Sequence, residues 1–359
     1  MTIPQRIPRI LLCLLLALAL LCTGAGCAED PPAASGDPSE ASADLPSGQP
    51  SDISLPPFSE EESEEVSEAP DPFREDALAV LSPEDGTFAC AKLFAWSSGS
   101  GLLLRKGEAE EQMYPASLTK LVTALVALEY ADPDTECVAG DELDMVAKDA
   151  SVAWIPKGSR ATLGSLLEGM LLPSGCDASY VIAANVGRIL NPETANSLTA
   201  VSDFVQEMNR WSKEHGLVHS NWMNPDGYHH NLHYTCLADM LRVGWMALQE
   251  PEILRCTRIG KETVRLLSGE GNTWTNTNHY VNPESSYYNP NCFGLKTGQT
   301  GEAGGCLLSA FQYGEEIVLI GVFGSRSNNA RFDVTNDVLA YVGDRLHLET
   351  GAESLAPAA

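Results

Sequence analysis

The sequence has few basic residues, no apolar run long enough to cross a bilayer comfortably, and no closely paired cysteines. Its 359 residues include 22 Lys and Arg against 49 Asp and Glu, which gives a formal net charge of -27. This charge argues against nucleic acid as a partner. The apolar run from Ile10 to Cys22 is too short for a comfortable span. No Cys-Xaa-Xaa-Cys pair occurs, so cysteine spacing gives no sign of a metal site.

The apolar run near the N-terminus is typical of a secretory signal peptide. Arg6 and Arg9 precede it, and it leads into Thr23-Gly-Ala-Gly-Cys27. Small residues directly before a cysteine look like a bacterial lipoprotein cleavage site, so we predict that residues 1–27 are a signal peptide and that Cys27 is lipid-modified. Ordinary cleavage is the alternative, because Gly24 stands where a leucine is usual. The predicted location is the outer face of a bacterial cytoplasmic membrane through the lipid, or outside the cell.

Residues 28–76 are rich in Pro, Ser, Gly, Glu and Asp, and Arg74 is their only basic residue. Low hydrophobicity and self-repelling charge predict an extended, disordered linker. A folded domain is expected over residues 77–348, and a short tail over residues 349–359.

The stretch from Pro115 to Lys120 places a hydroxyl and an amine one helical turn apart. Ser117 and Lys120 are three residues apart at the start of an apolar pattern that predicts a helix from Ala116 to about Tyr130. A lysine held on an apolar helix has its charged form disfavoured, so it can accept the serine proton. The pattern alone is weak, because it also occurs by chance in helices with a solvated lysine.

Hydrophobic periodicity predicts strands at both ends of the domain and helices between them. The predicted strands cover residues 88–96, 101–105, 263–267, 292–296, 305–311 and 317–323. The predicted helices after the first cover residues 163–172, 178–189, 201–215, 237–249 and 331–347. This order indicates one sheet built from distant segments, with a helical lobe inserted into it.

Two further motifs follow the first, Ser174-Gly-Cys-Asp177 and Lys296-Thr-Gly298. In this order the three motifs resemble those of the serine D-alanyl-D-alanine carboxypeptidases, the low-molecular-mass penicillin-binding proteins. The resemblance runs from about Ala89 to Tyr341. It implies an α+β fold of the β-lactamase/transpeptidase type, with an antiparallel sheet flanked by helices, an inserted all-helical lobe and the active site between them. The C-terminal domain and anchor of some relatives are not expected.

The resemblance assigns the reacting groups. It implies that Ser117 attacks the carbonyl between two D-alanines, that Lys120 takes its proton, and that Ser174 relays a proton to the leaving amine. The implied substrates are peptidoglycan stem peptides ending in D-Ala-D-Ala, with β-lactams as inhibitors. Neither a metal nor a cofactor is expected.

The resemblance also assigns the groups that bind the substrate. Lys296 and Thr297 would hold its terminal carboxylate, and Gly298 would keep the strand edge open for its backbone. The backbone N–H groups of Ser117 and Gln299 would form the oxyanion hole. Main-chain donors leave no mark on residue identity, so this last assignment depends on the resemblance alone.

Cys176 departs from the family pattern, because it stands where the family has asparagine in contact with the substrate. A cysteine is smaller and a much weaker hydrogen-bonding group. Two other functions therefore stay open: a catalytically weakened protein that binds penicillin or peptidoglycan, and, with less support, a serine β-lactamase. No signature of a deacylating glutamate supports the β-lactamase.

A zinc peptidase is the remaining alternative, because His229, His230 and His233 lie close together in the sequence. No carboxylate-plus-histidine motif supports it. Seven cysteines remain after the signal peptide and Cys27 are set aside, and an odd number cannot all pair with one another. Free thiols, or one or two disulfides with unassigned partners, are both compatible with the sequence.

Overall fold

The computed structural model describes residues 80–81, 88–99, 103–194 and 196–346. Within these residues the strands are β1 Val80–Leu81, β2 Lys92–Ser97, β3 Leu103–Lys106, β4 Glu136–Val138, β5 Arg160–Thr162, β6 Lys261–Arg265, β7 Gly271–Thr275, β8 Cys292–Thr300, β9 Gly304–Tyr313 and β10 Glu316–Ser325. The α-helices are α1 Thr119–Tyr130, α2 Leu163–Leu171, α3 Cys176–Leu190, α4 Ser197–Glu214, α5 Leu237–Gln249, α6 Pro251–Thr257 and α7 Ala330–Leu346.

Six strands form the main sheet in the order β1-β3-β2-β10-β9-β8. Five of them form an antiparallel sheet, while β1 lies parallel to β3 at one edge. In the middle of the sheet Leu319 of β10 pairs with Trp96 of β2 on one side and with Ala310 of β9 on the other. The sheet therefore joins the first and last parts of the described chain, as the strand pattern predicts.

Both faces of the sheet are buried, which explains why its central strands are apolar at nearly every position. Along β10, Val318 and Ile320 belong to a core under α7, whereas Leu319 and Phe323 belong to a core shared with the helices of the lobe. Successive side chains point to opposite faces of a strand, so one strand supplies both cores.

The lobe between α1 and β8 contains helices α2 to α6 and two small antiparallel pairs, β4 with β5 and β6 with β7. Side chains cap three of its helices: Thr162 accepts from the Ser165 N–H, Asn196 from the Thr199 N–H and the Cys236 sulfur from the Asp239 N–H. The predicted helices of this lobe are all present, with ends that differ by a few residues.

Four lobe elements were not predicted: β4, β5, β7 and α6. They are short or polar; for example, β7 alternates around a single buried residue, Trp274, and a turn at Gly269 with φ of 106° joins it to β6. Helix α6 begins with Pro251, which fits a first helical position and ends α5 just before it. The lobe is therefore mostly helical. The predicted all-helical lobe is corrected by the two short antiparallel pairs that it contains.

Several predictions fall outside the described residues: the signal peptide, the Cys27 lipid, the linker before residue 77 and the tail after residue 348. In the described part, no helix combines the length and apolarity needed to cross a membrane. The seven cysteines from Cys90 to Cys306 are all buried, free thiols.

Candidate active site

Ser117 lies in a 3-10 turn, Ala116–Leu118, that leads directly into α1. Ala116 has a φ of 49°, in the left-handed region that disfavours a residue with a Cβ. The loop containing Gly227 packs against this turn so closely that a Cβ on Gly227 would lie 1.9 Å from the Ala116 carbonyl oxygen. Glycine is therefore required there, and its contact fixes the turn that presents the Ser117 hydroxyl.

A buried histidine, His233, supports the same turn through Thr119. His233 Nδ1 accepts a hydrogen bond from the Met223 N–H at 3.2 Å, so the proton lies on Nε2, which is 2.8 Å from Thr119 Oγ1. The Thr119 hydroxyl in turn donates to the Ala116 carbonyl at 2.9 Å. Burial, with His230, His229 and Lys120 nearby, lowers the pKa of His233 to about 3. His233 is therefore a neutral structural donor.

Lys120 is fully buried, and its amine nitrogen is surrounded by three acceptors. The Nζ atom lies 2.9 Å from Ser117 Oγ, 3.3 Å from Cys176 Sγ and 2.7 Å from the Asp226 carbonyl oxygen. A protonated lysine can donate to all three. A neutral one can accept the Ser117 proton while still donating to the carbonyl of Asp226. The geometry thus allows a proton to pass between hydroxyl and amine.

The second motif lies between α2 and α3. Ser174 is buried, with a φ of 65°, and Cys176 begins α3. Burial raises the pKa of the Cys176 thiol to about 11, with Lys120 acting to lower it and Asp226 to raise it. The thiol is therefore protonated at neutral pH and serves as a weak polar contact beside Lys120.

Asp226 brings a buried carboxylate to this cluster. Its Oδ1 accepts from the Tyr228 N–H at 3.1 Å, while Oδ2 has no hydrogen-bond partner among the described residues, although Asp226 is only 1% exposed. The main-chain carbonyl oxygen of Asp226 also accepts a hydrogen bond from Lys120 Nζ. No short motif in the sequence links Asp226 to Lys120, because the two residues are 106 positions apart.

The third motif lies on β8, next to the nucleophile turn. An added Cβ on Gly298 would lie 3.2 Å from the Ser117 nitrogen, so the strand and the turn are in close contact. Lys296 is fully buried, with its Nζ 3.1 Å from the Thr297 carbonyl oxygen. Burial and the positive charges of Lys120 and Arg331 lower the pKa of Lys296 well below its ordinary value.

Arg331, from α7, adds a second cation at this strand. Its Nη1 donates to the Gly298 carbonyl oxygen at 2.9 Å, and burial lowers its pKa to about 10. The Thr297 hydroxyl is 2.6 Å from the hydroxyl of Thr277. No motif in the sequence marked Arg331, whereas Thr277 belongs to Asn276-Thr-Asn278, a stretch that is part of the resemblance to the family.

A cleft of about 390 Å³ opens over Ser117 and Cys176. Its rim is closed by contacts between loops: the Tyr228 hydroxyl lies 3.0 Å from Asp149 Oδ1, and His229 Nδ1 lies 3.7 Å from Glu302 Oε2. The lining residues are Ser117, Asp149, Ala150, Ser151, Cys176, Gly227, Tyr228, His229, Gln299, Thr300, Gly301 and Glu302. Of the predicted site, Ser117, Lys120 and Cys176 are in direct contact, and Gln299 lines the same cleft.

The three neighbouring histidines have separate surroundings. His233 is bonded to Thr119, His229 stacks edge-on against Tyr114, and His230 Nδ1 accepts from the Leu232 N–H. Among the described residues no group of three or more His, Cys, Asp or Glu is arranged to hold a metal ion.

Comparison with known proteins identifies the family. A model of the D-alanyl-D-alanine carboxypeptidase family, Peptidase_S11, matches residues 82–327. The chain belongs to this family. A D-alanyl-D-alanine carboxypeptidase of Streptomyces sp. strain K15 is 27% identical over 274 residues, which is 74% of this chain and 90% of that protein. DacF of Bacillus subtilis is 27% identical over 236 residues, 65% of this chain and 56% of DacF.

Solved structures agree. The crystal structure of the Streptomyces K15 DD-transpeptidase superposes with a TM-score of 0.64 at 27% identity, covering 73% of this chain and 98% of that one. Penicillin-binding protein D2 of Listeria monocytogenes, in its ampicillin-bound form, gives 0.57 at 23% identity over 70% of this chain and 97% of that one, a likeness of fold. The predicted family, fold class and serine carboxypeptidase class are confirmed.

Proposed function

We propose that this D-alanyl-D-alanine carboxypeptidase works through an acyl-enzyme on Ser117. The observation that carries the proposal is the 2.9 Å contact between Lys120 Nζ and Ser117 Oγ in a buried setting. Neutral Lys120 takes the hydroxyl proton as Ser117 Oγ bonds to the carbonyl carbon between two D-alanines. The C–N bond then breaks, and the proton reaches the departing amine of D-alanine, with Ser174 as the relay.

Two main-chain donors would stabilise the negative charge that develops on the carbonyl oxygen. The candidates are the N–H groups of Ser117, at the start of the helical segment, and of Gln299, on the strand that touches the Ser117 turn. Gly298 permits that approach, because a side chain there would press on the turn. Removing one such donor commonly costs about 10²–10³ in rate.

The terminal carboxylate of the substrate would bind beside Lys296 and the Thr297 hydroxyl. Lys296 has no carboxylate partner among the described residues, and Arg331 adds positive charge behind the strand. The carboxylate of a bound substrate would pair with the positive charge of Lys296 and Arg331. It would raise the pKa of Lys296 again, because an opposite charge favours the protonated amine. This supports a free C-terminal carboxylate as the recognised group.

The acyl-enzyme is released when water attacks the ester, with Lys120 as base, and returns Ser117 to its free form. Release of D-alanine from diacetyl-L-lysyl-D-alanyl-D-alanine tests the whole proposal, and mass spectrometry of the penicillin-treated protein tests the nucleophile. We expect one acyl group on the wild type and none on Ser117→Ala. Labelling that survives this substitution would place the nucleophile elsewhere, and a labelled protein without D-alanine release would favour the weakened binding protein.

Transfer of the acyl group to an amine is a second candidate, favoured by the match to the K15 enzyme. The solved structures of the K15 enzyme include variants in which one serine is replaced and variants in which a cysteine two positions after it is replaced. Ser174 and Cys176 have the same spacing in this chain. A cysteine at this place is therefore compatible with DD-peptidase chemistry. Adding glycylglycine as acceptor distinguishes the two outcomes: a transpeptidase yields the extended peptide, and a carboxypeptidase yields only the shortened one.

Attachment to the membrane through a lipid on Cys27 is a separate proposal, which depends on the sequence near that residue. A diacylated Cys27 would anchor the enzyme durably, since two chains are needed for stable attachment. The acidic segment after it would be repelled by anionic lipids and hold the catalytic domain away from them. Cys27→Ser should then appear in the culture medium, whereas identical partitioning of variant and wild type would contradict lipidation.

A further inference from the structure

Four non-glycine residues in the described part of the chain have φ in the left-handed region: Ala116 at 49°, Trp154 at 62°, Ser174 at 65° and Leu295 at 73°. Ala116 precedes the nucleophile, Ser174 belongs to the second motif, and Leu295 precedes the lysine of the third. Backbone strain of this kind concentrates at functional sites, where the surrounding structure enforces it. Trp154 is the fourth member of the set and belongs to none of the three motifs.

Trp154 gains no packing in return for its strained backbone. It is 77% exposed, while its neighbours Ala153 and Ile155 are buried. A large aromatic side chain left in water is unfavourable, and such groups commonly mark binding surfaces. Folding alone therefore does not explain why a tryptophan occupies this position.

The strained conformation is imposed from both sides. The buried carboxylate of Asp177 accepts from the Ala153 N–H at 2.7 Å and from the Ile155 N–H at 2.9 Å. The Ala153 carbonyl also accepts from Trp274 Nε1 at 2.9 Å. These bonds hold the residues before and after Trp154, so the indole is presented outward from a fixed backbone rather than from a loose loop.

This loop continues from the rim of the cleft. Asp149, Ala150 and Ser151 line the cleft, and the Ser151 carbonyl accepts from the Cys176 N–H at 2.8 Å. Trp154 is three positions after Ser151, so their Cα atoms are at most about 11 Å apart. Trp154 therefore lies on the loop that forms part of the cleft rim, within reach of a substrate that extends out of the cleft.

We propose that Trp154 is a stacking platform for a sugar ring of the glycan strand that carries the stem peptide, an inference that rests on the proposed function. In that substrate four residues separate the sugar from the scissile bond, a span of roughly 14 Å if extended. One face of an N-acetylated pyranose presents polarised C–H groups, and the face of an indole carries partial negative charge that attracts them.

A sugar fits this position better than a lipid surface. The chain carries a net charge of -27, which disfavours approach to anionic lipids, whereas the N-acetylated ring carries no charge once its lactyl group is joined to the peptide. A rigid aromatic platform also suits a rigid ring, because little conformational freedom is lost when the two stack.

The test compares one pentapeptide with and without its N-acetylglucosaminyl-N-acetylmuramyl disaccharide. We expect the wild-type enzyme to release D-alanine from the disaccharide form with roughly tenfold higher kcat/KM. Trp154→Ala should lose that preference and keep the wild-type kcat/KM on the free pentapeptide, while Trp154→Phe should retain part of it. Leu198→Ala, at a residue 66% exposed on α4, is the matched control and should change neither value.

Trp154→Gly separates recognition from folding, because glycine adopts positive φ without strain. We expect its melting temperature to equal or exceed that of the wild type, with the sugar preference lost. A structural role for the indole would instead lower the melting temperature. A wild-type enzyme that treats both substrates alike, or a Trp154→Ala variant that loses activity equally on both, would overturn the proposal.

A binding measurement makes the result independent of turnover. The indole N–H signal of Trp154, identified by its absence in Trp154→Phe, should shift in NMR spectra on addition of an N-acetylglucosamine tetramer. No shift would count against the platform. If neither peptide is hydrolysed but the shift is present, the proposed function fails and the sugar site stands.

Discussion

Lys120 and Lys296 are both fully buried in the same site, and their surroundings differ. Lys120 Nζ has three acceptors within 3.3 Å, those of Ser117, Cys176 and the Asp226 main chain. Lys296 Nζ has one hydrogen bond among the described residues, to the carbonyl of Thr297, and its pKa is lowered by burial and by the nearby Lys120 and Arg331.

This difference separates a reacting lysine from a binding lysine. The acceptors around Lys120 are already in place, so a proton can move between its amine and Ser117 without rearrangement of the protein. Lys296 lacks a negative partner, so its charge becomes favourable when an anionic substrate arrives. Substitutions at the two lysines should therefore affect different kinetic constants.

The largest effect is expected for Lys120→Met, which keeps the length of the side chain and removes the base. Loss of general base catalysis should lower kcat for D-alanine release by about 10²–10⁴. The rate of penicillin acylation should fall in parallel, measured by stopped-flow fluorescence. Lys213→Met, at an exposed residue of α4, is the control and should leave both rates unchanged. Parallel losses in the control, or a wild-type rate in Lys120→Met, would mean that another group is the base.

Lys296→Gln should act mainly on binding. One lost hydrogen bond to a charged group costs about 1.5–3 kcal/mol, so kcat/KM for a peptide with a free terminal carboxylate should fall roughly 10- to 100-fold. The same peptide with a terminal amide should be a poor substrate for the wild type and should become little worse in the variant. A similar loss on both peptides would show that Lys296 supports the fold of β8 rather than the carboxylate. Lys261→Gln, at an exposed position of β6, serves as control.

Lys296 should also change how the free energy of unfolding depends on pH. Its pKa is lowered in the folded protein by burial and by Lys120 and Arg331, while the unfolded chain keeps an ordinary lysine pKa. Between these two values the unfolded state binds more protons, so the contribution of Lys296 to stability becomes less unfavourable as pH rises. Lys296→Met should therefore be more stable than the wild type at neutral pH, and urea unfolding should show the difference shrinking towards pH 10. A constant difference would contradict the lowered pKa.

The sequence was sufficient for the parts of the site that lie in short motifs. Ser117 and Lys120 are three residues apart, in a 3-10 turn that continues directly into α1, so their contact follows from helical geometry. The apolar runs of β9 and β10 predicted buried strands because both faces of the sheet are covered. Local spacing and periodicity carry this information without any knowledge of tertiary contacts.

Other parts of the site depend on contacts between distant segments. Asp226 contacts Lys120 across 106 residues, His233 contacts Thr119 across 114, and Arg331 reaches Gly298 across 33. No periodic pattern encodes such pairs. The outward indole of Trp154 was also missed, because an isolated tryptophan in an apolar stretch more often indicates burial than exposure.

The smallest effect is expected at Cys176, which contacts Lys120. Its thiol is a weak partner for Lys120 at 3.3 Å, and the neighbouring Asp226 Oδ2 lacks a hydrogen bond among the described residues. In Cys176→Asn the amide oxygen can accept from Lys120, and the amide N–H groups can donate to the substrate carbonyl or to Asp226. One added bond in the closed site should raise kcat about tenfold.

The competing outcome for Cys176→Asn follows from the same geometry. If Asp226 captures the amide, the substrate carbonyl gains nothing, and the larger side chain crowds a position that is only 5% exposed. Steady-state kinetics under reducing conditions distinguish the two, with penicillin acylation as the check that Ser117 still reacts. A roughly tenfold fall in kcat would mean that the site is built around the thiol. Asp226→Ala in the same background should then restore the amide to the substrate and recover part of the rate.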